Sequence, residues 1–133
     1  MITTVNFSKK KYQLILFISV KRYSLSIYLN YYFDVKKILD VSKNVFIPKP
    51  NVDSSIICMS KKVRENKVKD IEYFNKFLQS CFKFKRKTLR NNLKGYDLSI
   101  VEKVLNKYGF NLTNRAENIS TDVFVEIVNE LLK

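Results

Sequence analysis

Six cations stand with no acid among them between Lys83 and Lys94: Lys83, Lys85, Arg86, Lys87, Arg90 and Lys94. Ammonium and guanidinium groups massed in this way suit phosphates, because each phosphate they neutralise releases counterions. Set on a helix at about 100° per residue, Lys83, Lys87, Arg90 and Lys94 fall within about 60° of one another. Phe82, Leu89 and Leu93 make a second stripe roughly 100° around the same cylinder. One edge can then be buried while the other is held towards a polyanion. A solvated helix face is the plainer alternative, but such faces mix signs to gain i,i+4 pairs. We read these six residues as a nucleic-acid contact, on a helix that either prolongs the preceding one or stands second to it and ends at Gly95.

A second constellation is Phe46-Ile47-Pro48-Lys49-Pro50-Asn51-Val52-Asp53-Ser54. Each proline biases the residue before it towards extended geometry, so Ile47 and Lys49 are expected outside any helix. An aromatic on so stiff a connector can stack on an unpaired base. From spacing alone, Phe46 packing against a sheet, with the prolines merely turning the chain, is the favoured reading. No acid–base pair stands out: Asp34, Asp40 and Asp53 are scattered, and Asp53 suits a turn cap.

Composition removes other chemistries. The 133 residues contain no histidine, which excludes Ser-His and Cys-His catalysis and any His-containing zinc site. Cys58 and Cys81 cannot form a four-thiolate site, and two buried thiols in a reducing, cytoplasmic setting are expected. Gly95 and Gly109 are the two glycines, far apart, so a glycine-rich nucleotide loop is lacking from these residues. The net charge is +13, and it is uneven: residues 1–94 carry 21 Lys/Arg against 6 Asp/Glu, residues 95–133 carry 4 against 6. Such a field draws nucleic acid or an anionic membrane face, although Lys-, Asn- and Ile-rich usage also follows from an AT-rich genome. At 46% hydrophobic and 14% aromatic residues the chain is no disordered basic tail.

The elements that must position these groups divide by period. Tyr12–Val20 is an apolar run too short to span a bilayer and without a small-residue cleavage site, so a buried strand is expected. Ser24 to Phe33 alternates, with Leu25, Ile27, Leu29, Tyr31 and Phe33 on one face, which predicts a strand. Val35 to Val41 continues it less regularly, and Ser55–Met59 predicts another. The polar stretch 61–69 reads as a linker. Ile71, Phe74, Phe77, Leu78, Cys81 and Phe82 then recur at helical spacing. Ser99 and Glu102 match a capping box opening a helix that stops at Gly109, and a last helix starts near Ser120. Strands followed by helices predict an α+β chain of two unlike parts.

The proline-bounded segment from Phe46 to Ser55, the run Phe82 to Lys94, and Arg115-Ala116-Glu117-Asn118-Ile119-Ser120 together resemble the ribosomal RNA adenine dimethyltransferases. Tyr23–Ile27 with Asn30–Val35 is similar to the strand that precedes the Phe-x-Pro-x-Pro segment in that family. The likeness runs from about Tyr23 to the C-terminus. It implies the terminal strands of a Rossmann-like methyltransferase sheet in residues 1–60, a linker at 61–69, and a small all-helical rRNA-binding C-terminal domain in 70–133. It implies small-subunit rRNA as partner, with two adjacent adenines dimethylated by S-adenosylmethionine. By the same resemblance Phe46 would lie against the flipped base and the cations of 83–94 would follow rRNA phosphates. The family's glycine-rich cofactor loop, ribose-holding acid and Asn-Leu-Pro-Tyr motif have no counterparts in these residues. No cofactor or metal bound by this chain and no methyl transfer by it alone are therefore expected. A split gene, a frameshift or a misjudged start codon would each account for that, and an N-terminal partner fragment would restore the site. A stand-alone RNA-binding module is the second reading. A membrane-surface role for Tyr12–Val20 and its flanking lysines is the third and least favoured.

Overall fold

The computed structural model describes residues 2–4, 14–16, 24–51 and 53–133. Two short strands, β1 (Ile2–Thr4) and β2 (Leu14–Leu16), pair antiparallel with Ile2 opposite Leu16. Strand β2 falls within the expected apolar strand, and the rest of Tyr12–Val20 lies outside the described residues. Helix α1 (Ser24–Tyr32) leads directly into β3 (Phe33–Val41), which pairs antiparallel with β4 (Ser54–Lys61). Three helices of ordinary length follow, α2 (Ile71–Cys81), α4 (Leu98–Lys107) and α5 (Thr121–Leu131), with the single turn α3 (Leu89–Asn92) after α2. Their contacts form two bodies, one of residues 1–21 and 32–63, the other of residues 22–31 and 64–133.

In the first body β3 and β4 run in register from Phe33 opposite Lys61 to Val41 opposite Ser54, with a shift between Lys37 and Leu39. Alternate residues of β4, Ser55, Ile57 and Met59, are buried, as a half-covered strand requires. Its partner is far more exposed, and Asp40 on β3 accepts a hydrogen bond from the Ser55 hydroxyl (2.5 Å). The connector between them opens with a 3-10 turn at Lys43–Val45. Ser42 is the N-cap of this turn, its hydroxyl accepting from the Asn44 amide at 3.2 Å, and the Asp53 carboxylate adds a second acceptor, taking the Lys43 amide at 2.9 Å. Ile47 and Lys49 lie outside any helix, as the prolines demand.

The strand expected at Ser24–Phe33 is a helix up to Tyr32. Its alternation is real, but Tyr28 and Tyr32 fill the other face too, so the apolar set also satisfies a helical period. Tertiary contacts decide the case. Ile27 and Tyr31, one turn apart, are buried, whereas Leu25 is mostly exposed. The Tyr31 hydroxyl accepts from the Val68 amide at 3.1 Å, and its ring centre lies 5.3 Å from that of Phe74. A helix therefore stands between β2 and β3, so strands and helices are not fully separated along the chain.

The second body is built round the stripe read from the sequence: Phe74, Phe77, Leu78 and Cys81 of α2 are buried, α2 packs on α5 with the Phe77 ring centre 6.4 Å from that of Phe124, and α5 packs in turn on α4, whose Val101 and Leu105 are buried. Asp70 caps α2 by accepting from the amides of Glu72 and Tyr73 (2.9 and 3.0 Å). The cap of α4 is Asp97, two residues before the expected Ser99, and its carboxylate accepts from the Ser99 and Ile100 amides. An aspartate accepts both first-turn amides more strongly than a serine hydroxyl, and it takes the Ser99 hydroxyl as well. Helix α4 ends as expected, with Gly109 at φ +77°, and Gly95 turns the chain at φ +105°. Arg64, its side chain only 6% exposed, ties the body together. It pairs with Asp122 of α5, reaches the Asn30 carbonyl at 3.4 Å, and lies 5.0 Å from the Tyr31 ring centre.

Candidate nucleic-acid interface

The site begins where α2 stops. The Phe82 amide bonds back to the Leu78 and Ser80 carbonyls, and Lys83 to Ser80, closing the last turn. Residues 83–88 then leave helical geometry, and α3 covers only Leu89–Asn92. The continuous helix expected over Lys83–Lys94 is thus corrected to a loop followed by one turn, so the single cationic stripe does not exist. Like charges three and four residues apart weaken a helix through this stretch, and other partners take up the backbone. Lys87 donates to the Phe84 carbonyl at 2.9 Å, closing a tight turn over the cations.

Asn92 holds that loop. Its carboxamide is buried, donates to the carbonyls of Cys81 (2.8 Å) and Phe84 (3.2 Å), and accepts from the Phe84 amide at 3.1 Å. The amides of Leu89 and Arg90 bond to the carbonyls of Asn114 and Leu112, fixing α3 to the segment before α5. Leu89 and Leu93 are fully buried, so the apolar edge inferred from the sequence is present although its helix is not. The Cys81 thiol is buried beneath the loop, which pushes its pKa well up, and Cys58 is half-buried.

All six expected cations, Lys83, Lys85, Arg86, Lys87, Arg90 and Lys94, are exposed. Arg90 lies 3.8 Å from Glu102 of α4, a long contact between exposed groups. No described carboxylate comes within ion-pair distance of Lys83, Arg86, Lys87 or Lys94. Phe84 stands among them 54% exposed, with the Lys83 ammonium 5.5 Å from its ring centre. The sequence reading passed over Phe84 and Asn92. An aromatic flanked by lysines in Lys83-Phe84-Lys85 was the available signal for the first; nothing local marks the second. Phe46 belongs to the other body, half-buried beside the fully exposed Ile47.

The helical body also has an open cavity of about 260 Å³ lined by Ser24, Leu25, Tyr28, Asn75, Leu78 and Gln79. It presents hydroxyls and carboxamides and no charge. Among the described residues no helix is long and apolar enough to cross a membrane.

Comparison with known proteins bears on what this surface serves. The chain is 37% identical over 112 residues to Ribosomal RNA small subunit methyltransferase A of Malacoplasma penetrans, covering 83% of this chain and 41% of that one. Against the Thermotoga maritima protein of the same name the identity is 39% over 103 residues, covering 77% and 33%. The chain thus spans well under half the length of these curated relatives. Its fold resembles that of the 23S rRNA methyltransferase ErmE (TM-score 0.60, 18% identity, 83% of this chain and 46% of that one). It also resembles a dimethyladenosine transferase from Plasmodium falciparum (TM-score 0.54, 20% identity, covering 83% and 48%). Both likenesses support the mixed α+β architecture. Residues 13–133 match the family described as Ribosomal RNA adenine dimethylase, and to that family this chain belongs.

Proposed function

We propose that this chain supplies the rRNA-holding part of a small-subunit rRNA adenine dimethyltransferase. The observation that carries the reading is the loop 83–87, whose exposed cations are held in shape by Asn92 in a chain of this family. Lys83, Lys85, Arg86, Lys87, Arg90 and Lys94 contact rRNA phosphates, a sequence-independent contribution that positions the protein on RNA. Residues 1–60 carry the last strands of a Rossmann-like methyltransferase sheet with the Phe-x-Pro-x-Pro segment, apart from helix α1, whose residues 22–31 group with the helical body; 61–69 is a linker and 70–133 the rRNA-binding domain. Phe46 stacks on the target adenine once that base has left its stack. The partner is the small-subunit rRNA or its precursor particle.

The methyl donor of the whole enzyme is S-adenosylmethionine, which supplies the electrophilic methyl group when bound. The cavity of the helical body offers no carboxylate for the ribose, and Gly95 and Gly109 are too far apart to form a glycine-rich loop, which supports a donor pocket built from other residues. The 133-residue chain accordingly binds RNA without itself transferring a methyl group, and the donor pocket with its adenine-gripping motif belongs to other residues of the complete enzyme.

Co-sedimentation with undermethylated small ribosomal subunits tests this reading. Wild-type chain is expected in the pellet, and K83Q/K85Q/R86Q/K87Q in the supernatant. Equal pelleting of both would refute the assignment of the loop.

A further inference from the structure

We propose that Phe84 is a stacking platform for an unpaired RNA base, an inference that rests on the RNA-holding role proposed above and names the part of the RNA it takes. A phenylalanine at a loop tip ordinarily turns inward, because leaving its ring in water forgoes a large burial gain. Phe84 instead remains 54% exposed, and its position is enforced from below. The Asn92 carboxamide grips both its amide (3.1 Å) and its carbonyl (3.2 Å) while anchored on the Cys81 carbonyl at 2.8 Å. The result is an aromatic ring presented with little backbone freedom to lose on binding.

Its surroundings choose the ligand. Lys83 and Lys85 flank Phe84 in sequence, the exposed Arg86 and Lys87 follow in the same loop, and the Lys83 ammonium lies 5.5 Å from the ring centre. Apolar protein partners do not complement four cations and a ring in one loop, whereas a nucleotide offers a π-face and a phosphate together. Paired bases keep their faces in the helix stack, so the matching element is single-stranded or looped RNA. The cations alone would hold duplex and single strand alike; the ring adds preference for the unpaired form.

The test measures affinity of the full 133-residue chain by fluorescence anisotropy for an oligoadenylate 8-mer and for a GC-rich RNA duplex at the same salt. F84A is expected to lose about 5- to 150-fold for the single strand, the range of one lost base stack, with the duplex changed less than about 2-fold. F84W restores single-strand affinity, and the slope of log K against log salt is the same for all three, since no charge changes. Unchanged single-strand binding by F84A, an equal loss on both RNAs, or failure of F84W to restore binding overturns the proposal while leaving the RNA-holding role intact. Absence of binding of either RNA by the wild-type chain overturns both.

Discussion

Asn92 offers the sharpest test of how the cationic loop is built. Replacing it with alanine strands the Cys81 carbonyl in a buried position and the Phe84 amide in a half-buried one, while the Phe84 carbonyl keeps its bond from the Lys87 amide. A buried group left unsatisfied costs about 1–3 kcal/mol. The Phe84 amide recovers part of its loss from water, so N92A should lose about 2–4 kcal/mol in all. With an m-value of about 2 kcal/mol/M, the middle of the usual range, the urea midpoint followed by circular dichroism falls by about 1–2 M at unchanged slope. N92D is expected to be no better at pH 7, because a carboxylate keeps the acceptor but turns negative charge on two carbonyl oxygens. N91A is the control, since the neighbouring carboxamide is exposed and reaches only the Thr88 hydroxyl (3.2 Å), so it should cost under about 0.5 kcal/mol. A midpoint for N92A within error of wild type, or an equal loss in N91A, would show that the loop is not held from beneath.

Four further outcomes follow from the same contacts. D70A removes the acceptor of two first-turn amides of α2 and should cost about 1 kcal/mol in the same unfolding assay. R64K should destabilise nearly as much as R64A, because an ammonium cannot serve Asp122, the Asn30 carbonyl and the Tyr31 ring together. In acid, Glu126 is held below the ordinary carboxyl value of 4.5 by hydrogen bonds from Lys107 and then Tyr108, and Glu130 by one from Lys133. A carboxyl lowered on folding contributes stability above its unfolded pKa and loses it as pH falls through the folded one. Tm should therefore hold from pH 7 to about 5 and fall below that, with a shallower fall in E126Q. Lastly, purified chain with S-adenosylmethionine and undermethylated subunits should incorporate no labelled methyl groups, and measurable turnover would contradict the proposed division of labour.

Much of the helical body was legible because its signals are redundant. The stripe from Ile71 to Cys81 has an aspartate cap in front and a tertiary partner in α5, so period, cap and burial agree. Ser24–Tyr32 carried no such agreement: tyrosines on both faces satisfied two periods at once, and only contacts distant in sequence, Val68 and Phe74 on Tyr31, select the helix. Lys83–Thr88 failed for a different reason. Its residues permit a helix by spacing, but charge repulsion and the carboxamide of Asn92 offer the backbone a better arrangement, and a long-range side-chain contact leaves no periodic trace. The six cations are exposed all the same, because exposure depends on charge more than on secondary structure. Arg64 shows the converse, a lysine-rich segment's single arginine drawn inside by Asp122 and Tyr31.

The most direct measurement of the central claim is a salt titration of RNA affinity, comparing wild type with K83Q/K85Q/R86Q/K87Q on one single-stranded segment of small-subunit rRNA. Single-stranded RNA gives a slope of log K on log salt of about −0.7 per phosphate neutralised. If the four loop cations each engage one phosphate, the variant's slope should be shallower by about 3, with weaker binding at every salt concentration. Superimposable lines for the two proteins would contradict the account.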